Sequence, residues 1–209
     1  MTTSKIPDVF LQKKIKEEIK KFVIEELHLD NLDYLKDGIY NTYSEYSNST
    51  SKKIEQLLPF FQVKIKKILL EINKFLEKEY KEFVAGIYEG YRPLWQQAIY
   101  YLQGRHYAFA GKIITNTLMS YHLFGGAVDI VFYSFNKKNW VWEVHPVFYE
   151  TLGSLAEKEN LIWGGKWKWK DFPHIQVQRS LIPEKTFKEL KEKIETLKNF
   201  LKKQYNINS

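Results

Sequence analysis

Apolar and polar residues follow helical spacing in three long stretches of the chain. Residues 10–28, 51–80 and 184–205 place apolar side chains three or four positions apart between Lys and Glu, which predicts three amphipathic helices. Pro59 either kinks the second helix or marks its true start. Between the first two helices, residues 30–51 are rich in Tyr, Asn and Ser, and this composition predicts a loop or linker.

Strand signals are confined to the middle of the chain. Four short stretches are rich in β-forming residues or alternate strictly, and they predict strands at 83–88, 127–135, 140–144 and 174–178. Two further helical patterns lie between these stretches, one beginning at Pro93 and one over residues 147–160.

This order of elements predicts an α+β fold. We expect a small, mostly antiparallel sheet flanked by helices, with helical additions at both ends of the chain. The corresponding domain boundaries are an N-terminal helical extension over residues 1–54, a central domain over 55–183 and a C-terminal helix over 184–209. The sequence contains no internal repeat.

The composition indicates a folded protein with few options for thiol or metal chemistry. Of 209 residues, 44% are hydrophobic and 16% are aromatic, which is typical of a folded soluble domain. The sequence has no cysteine, so disulfides, thiolate metal sites and a cysteine nucleophile are excluded. Any metal site must therefore combine carboxylates with some of the five histidines.

Neither a membrane segment nor an export signal is visible in the sequence. No apolar stretch approaches the roughly 18 residues that cross a bilayer, and the first 21 residues lack the apolar core of a secretory signal. We therefore expect synthesis in the cytoplasm without a signal peptide. The net charge of +7 favours polyanionic partners such as nucleic acid, anionic lipid or cell-wall polymers, although a solvated Lys–Glu surface explains it more simply.

Residues 120–129, which read SYHLFGGAVD, place an imidazole and a carboxylate close together before an apolar run. Because glycine tolerates unusual backbone angles, the pair at 125–126 permits a tight turn. His122 can then fold back towards Asp129, which stands at the mouth of the predicted strand. The segment is therefore a candidate for shared chemistry between these two side chains.

His174 supplies a third candidate group. The alternation of residues 174–178 places its ring on the polar face of the strand, away from its apolar neighbours. With His122 and Asp129 it would offer two nitrogens and one carboxylate oxygen, the ligand set of a catalytic zinc site with an open fourth position. On spacing alone, a single histidine of this kind is more often an ordinary polar residue than a metal ligand.

Two further side chains complete a candidate hydrolytic site. Asp171 lies three residues before His174, and the intervening Pro173 favours an extended backbone, so both side chains can reach one pocket. A carboxylate there can serve as a general base. Arg92, between a predicted strand and helix, is a candidate cation for the scissile carbonyl or a substrate carboxylate. The HExxH, GxSxG, Walker-type and GxGxxG motifs are absent, which excludes those routes to catalysis.

Four motifs occur in a fixed order within residues 55–180: EGYR at 89–92, SYHLFGGAVD at 120–129, WGGKW at 163–167 and DFPH at 171–174. Together with QGR at 103–105, they resemble the motifs of the LAS zinc peptidases, a group named for lysostaphin, the D-Ala-D-Ala metallopeptidases and sonic hedgehog. The WGGKW tract is similar to that of one branch, the L-alanyl-D-glutamate endopeptidases of phage endolysins and the related carboxypeptidases. Pro93 and Gln96 depart from the usual pattern, which puts substrate fit in doubt but removes no catalytic group.

The resemblance implies a role for each candidate residue. It assigns the Zn²⁺ ligands as His122, Asp129 and His174, the general base as Asp171, the oxyanion-stabilising cation as Arg92, and the substrate contacts as Ser120 and Gln97. Residues 1–50 and the terminal helix lie outside it.

The resemblance also implies a substrate and a setting. The favoured function is hydrolysis of the peptidoglycan stem peptide at the L-alanyl-D-glutamate bond by a monomeric, endolysin-like enzyme that reaches the wall after release through a holin. A D,D- or L,D-carboxypeptidase that removes terminal D-Ala is the first alternative, and a zinc-binding module without catalysis is the second. A DNA-binding protein, suggested by charge alone, would show no metal dependence and a steep loss of affinity with salt; we expect no nucleic-acid partner.

Overall fold

The computed structural model describes residues 9–29 and 46–207, and over these residues the protein has the expected α+β fold. Its helices are α1 Val9–Lys21, α2 Tyr46–Glu55, α3 Pro59–Glu79, α4 Leu94–Leu102, α5 Pro146–Lys158 and α6 Glu184–Tyr205. Its strands are β1 Phe83–Glu89, β2 Ala127–Ser134, β3 Asn139–Val141, β4 Ile162–Trp163 and β5 His174–Gln176. Within the described part of the chain, no helix is long and apolar enough to cross a membrane.

The described residues divide into two compact units. One unit comprises residues 9–29, 93–123 and 183–207, and the other comprises 46–92 and 124–182. The domain boundaries expected at residues 54 and 183 stay a prediction.

The small antiparallel sheet belongs entirely to the second unit. Its central strand β2 pairs with β1, β3 and β5, and β5 pairs in turn with β4. The four predicted strands are present with different ends. β2 and β5 end one and two residues early, β1 extends one residue further, and β3 starts one residue early and ends three residues early. Strand β4 was not predicted, because its two residues are too few to show an alternation.

Helix α2 differs from the sequence prediction. Residues 46–51 were predicted to be loop, but they are helical, whereas residues 30–45 of the predicted loop lie outside the described part. The tertiary contacts explain the difference: the Thr50 hydroxyl accepts a hydrogen bond from the Ile87 amide of β1 at 3.2 Å, which ties α2 to the sheet. Pro59 marks the start of α3 rather than a kink, as one of the two alternatives predicted.

An aromatic cluster around Phe148 packs α5 against the sheet. Phe148 of α5 is 1% exposed, and its ring makes edge contacts with Tyr80, Phe83 and Phe132 at centroid distances of 4.7, 5.2 and 4.9 Å. On β1, the Asn73 side chain of α3 pairs with both backbone groups of Ala85. These contacts fix the strands that carry the candidate site.

The first unit joins the two terminal helices. The rings of Phe22 and Phe200 stack at 4.0 Å, and the Tyr205 hydroxyl donates to Glu18 at 2.9 Å. Helix α4 begins at Leu94 and Pro93 caps it, one residue later than predicted. Helix α6 has the predicted bounds.

Candidate metal centre and active site

Two antiparallel strands bring Asp129 and His174 together. The residues are register partners in β2 and β5, and His174 Nδ1 lies 3.1 Å from Asp129 Oδ1. The other ring nitrogen, Nε2, lies 3.0 Å from Gln176 Oε1. The Trp167 ring lies over His174 at a centroid distance of 5.0 Å, and the His174 side chain is only 8% exposed. The polar face predicted for His174 is therefore covered rather than open to solvent.

The charges around His174 favour a cation at this position. Burial alone would lower the pKa of the ring, but the hydrogen bond to Asp129 and the negative charges of Asp129 and Asp171 outweigh burial and raise this pKa above its usual value. A histidine that binds a metal must be neutral. A proton and a metal ion therefore compete for this ring, and both are attracted by the same carboxylates.

His122 is placed by a short turn just ahead of β2. It lies on the 3₁₀ turn Tyr121–Phe124, where its amide is 3.4 Å from the Ser120 hydroxyl oxygen. Gly125 ends the turn at φ +61°, a conformation that favours glycine. His122, Asp129 and His174 each offer one ligand atom, and these atoms lie within 4.8 Å of one another. The structure thus brings together the three residues predicted to bind a metal.

The donor set fits a zinc ion. Two imidazole nitrogens and one carboxylate oxygen are ligands that zinc accepts, and bonds of about 2.0–2.2 Å in a tetrahedral site place ligand atoms roughly 3.3–3.6 Å apart. The 3.1 Å between His174 Nδ1 and Asp129 Oδ1 is close to that spacing. The side chains of His122 and His174 are buried, and Asp129 is half-buried. All three ligand atoms lie within 4.8 Å of one another, so side-chain rotations can bring them to the spacing that such an ion requires.

Arg92 is held in a buried ion pair beside Asp129. Its Nε donates to Glu89 Oε1 at 2.7 Å, and its Nη2 donates to Glu89 Oε2 at 2.5 Å. The same Nη2 lies 3.9 Å from Asp129 Oδ2. The side chains of Arg92 and Glu89 are 9% and 10% exposed. Two parallel hydrogen bonds of this kind fix both the position and the plane of the guanidinium.

Replacing Glu89 with Ala should destabilise the protein strongly. Removing one partner of a buried ion pair leaves the other charge uncompensated, which typically costs about 3–5 kcal/mol. Urea denaturation followed by circular dichroism measures this loss. The exposed Glu82 is the matched control, and its replacement with Ala should change the free energy of unfolding by less than about 0.5 kcal/mol. Equal effects of the two substitutions would show that the Glu89–Arg92 pair is not a structural requirement.

The WGGKW tract holds the turn that carries Asp171. The Asp171 amide donates to Gly164 O at 3.1 Å, and the Trp163 indole donates to Phe172 O at 2.7 Å. A Cβ on Gly164 would lie 2.5 Å from Asp171 O, so a larger residue would displace the turn. The Asp171 side chain is exposed, and its charge helps to raise the His174 pKa. An accessible carboxylate next to a candidate metal ligand can take a proton from a reacting water.

The predicted substrate contacts lie in different places: Ser120 stands two residues before His122, whereas Gln97 lies on α4. Gln97 is fully buried, and its Nε2 donates to Thr117 O at 2.7 Å and to Thr115 Oγ1 at 3.3 Å. This side chain therefore holds the backbone that leads into Ser120. A role in substrate binding stays a prediction for both residues.

Four residues near these groups were not assigned a role from the sequence. Gln176 contacts His174, Glu89 pairs with Arg92, and Lys53 donates to the carbonyls of Ile87 and Tyr88. Tyr149 is the fourth: burial, with the charges of Asp171 and Asp129, raises the pKa of its phenol. Glu89 lies within the EGYR motif and Gln176 within the alternating stretch 174–178, whereas Lys53 and Tyr149 carry no local signal.

Parts of the chain are similar to a family model and to a solved structure. Residues 114–177 match the family model described as D-alanyl-D-alanine carboxypeptidase, a peptidase M15 family. Among solved structures, the chain is similar to the L-Ala D-Glu endopeptidase ChiX of Serratia marcescens, with 24% identity and a TM-score of 0.44 over 62% of this chain and 86% of that chain. The predicted resemblance to a peptidase family is confirmed.

Proposed function

We propose that the protein is a zinc-dependent peptidase that hydrolyses the stem peptide of peptidoglycan. The match of residues 114–177 to a family model described as D-alanyl-D-alanine carboxypeptidase supports this proposal. The observation that carries this proposal is the cluster of His122, Asp129 and His174, which lies within the matched segment. Asp171, a solvent-accessible carboxylate three residues before His174, supplies the proton-transfer group.

Each residue has a defined task in the proposed reaction. His122, Asp129 and His174 would hold the ion, and a zinc ion supplies Lewis acidity that makes water nucleophilic near neutral pH. The Asp171 carboxylate accepts a proton from the attacking water and delivers it to the nitrogen of the leaving amine. The water oxygen first forms the new C–O bond, and the C–N bond then breaks with the transferred proton on the departing nitrogen, so the products are a carboxylic acid and an amine. Arg92 is proposed to stabilise negative charge on the carbonyl oxygen.

The proposed scissile bond is the L-alanyl-D-glutamate bond. The WGGKW tract at 163–167 supports this choice, since it is similar to that of the endopeptidase branch. The net charge of +7 is compatible with an anionic cell wall as the partner. Release of terminal D-Ala by the same residues is the runner-up, because both reactions need the same ligands and base. A lytic role of the endolysin type is part of the same proposal.

Mass spectrometry of the fragments released from purified peptidoglycan tests the proposal. We expect a soluble fragment with a new D-Glu amino terminus. Loss of D-Ala alone would instead establish the carboxypeptidase. If several wall types yield no fragment while zinc stays bound to the protein, the proposal is wrong and the protein is a zinc-binding module without catalytic activity.

A further inference from the structure

Strand β1 contains an irregularity next to the candidate active site. The register between β1 and β2 shifts between Ile87 and Glu89, which leaves Tyr88 as an extra residue in a β-bulge. A bulge bends its strand and changes the direction in which the following side chains point. Here the following residues are Glu89, whose register partner is Asp129, and Arg92. The bulge therefore sets where the buried ion pair stands relative to the metal-binding carboxylate.

Helix α2 satisfies the backbone groups of this bulge. Lys53 Nζ donates to Ile87 O at 3.1 Å and also to Tyr88 O, and the Thr50 hydroxyl accepts from the Ile87 amide at 3.2 Å. Carbonyls displaced from a regular ladder need such partners when they are buried. Burial lowers the pKa of Lys53 to about 7, although the negative charges of Glu89 and Asp129 oppose this shift.

Residues 56–58, which join α2 to α3, also contact the turn that follows His122. The Leu58 amide donates to Gly125 O at 3.0 Å, and a Cβ on Gly125 would lie 2.5 Å from Gln56 O. In the EGYR motif, a Cβ on Gly90 would lie 3.4 Å from Lys53 O of α2. The end of α2 and the residues that follow it therefore lie against both the EGYR turn and the turn that leads into β2. The close approach at Gly125 requires a glycine, whereas a Cβ on Gly90 would make only an ordinary contact.

We infer that Lys53 is a positioning residue of the active site, which holds the β-bulge of β1 and thereby sets the Glu89–Arg92 ion pair beside Asp129. The inference rests on the proposed peptidase function. Lys53 lies outside the matched segment 114–177, within the N-terminal extension predicted over residues 1–54. If Lys53 positions the ion pair, this part of the extension contributes to the function of the active site. Lys53 does not contact the substrate; it acts through the Glu89–Arg92 ion pair.

The kinetic test compares Lys53→Met with Lys52→Met, an exposed neighbour on the same helix. A displacement of about 1 Å in a catalytic group can cost on the order of 100-fold in rate. We expect Lys53→Met to lower kcat at least about tenfold while KM changes less than about threefold. Lys52→Met should match the wild type, and Lys53→Arg, which keeps a charged donor, should recover most of the lost kcat. An unchanged kcat in Lys53→Met, or no recovery in Lys53→Arg, would overturn the inference.

A second readout does not depend on activity. The sequence has three arginines, so the Arg92 Nε–H signal can be assigned in a nitrogen–proton NMR spectrum by its loss in Arg92→Lys. In the metal-free protein we expect this signal to be protected from solvent exchange in the wild type and Lys52→Met, and to exchange faster in Lys53→Met. If Lys53→Met does not fold, Thr50→Val, which removes the partner of the Ile87 amide, takes its place.

The two readouts separate the two hypotheses. If the wild type is inactive but the Arg92 Nε–H exchanges faster in Lys53→Met, the peptidase function is rejected and the positioning contact stands. If the wild type is active and the exchange rate of the Arg92 Nε–H is unchanged in Lys53→Met, only the positioning role is rejected.

Discussion

Replacing Asp171 with Asn should lower the turnover of peptidoglycan by about 10²–10⁴-fold, the usual contribution of a general base. The amide keeps the shape of the side chain but cannot accept the proton of the attacking water. The metal content should stay at the wild-type level, since His122, Asp129 and His174 remain. Initial rates of fragment release, together with metal analysis of the same samples, measure both quantities.

Glu143 provides the control for Asp171. Its carboxylate is exposed and it lies outside the proposed site, so Glu143→Gln should keep wild-type turnover. If Asp171→Asn also keeps wild-type turnover, the assignment of the base is wrong. If it loses the metal as well, Asp171 contributes to metal binding rather than to proton transfer.

Replacing His122 with Ala should remove both the metal and the activity. The substitution leaves only Asp129 and His174 of the three-residue cluster, and two ligands are fewer than the three protein ligands of catalytic zinc sites. We expect well under one metal ion per chain after dialysis and no fragment release above background. Elemental analysis and thermal unfolding with added zinc check this result, because zinc should raise Tm in the wild type but not in His122→Ala.

His145 provides the control for His122. It is an exposed histidine that caps α5 through the Val147 amide and lies outside the cluster. His145→Ala should keep the metal and the activity while losing about 1 kcal/mol of stability with the cap. Full metal content in His122→Ala would show that His122 is not a ligand.

The ligand cluster could be predicted from the sequence because its determinants are local. His122 and Asp129 are seven positions apart, and Gly125 supplies the turn between them at φ +61°. His174 is brought to Asp129 by pairing of β2 with β5; the strict alternation around His174 made that strand recognisable. The three residues lie together as expected, while their roles in catalysis stay predictions.

The support around the cluster could not be predicted, because it depends on contacts between distant segments. Lys53 contacts the bulge of β1 at Ile87, 34 positions away in the sequence. Nothing about a lysine or an isoleucine at these positions indicates this contact. Likewise, the polar composition of residues 46–51 predicts a loop, but the hydrogen bond of Thr50 to the sheet favours a helix. The ion pair between Glu89 and Arg92 could have been predicted from the sequence, since the two residues are three positions apart in the EGYR motif.

The most direct test of the account is metal removal and restoration. Purified protein would be stripped with a chelator, dialysed, and assayed on purified peptidoglycan before and after addition of one equivalent of zinc. If the protein is a zinc-dependent peptidase, the stripped protein releases no stem-peptide fragments, and zinc restores release in the wild type but not in His122→Ala. Fragment release by fully stripped protein at the wild-type rate would contradict the zinc dependence.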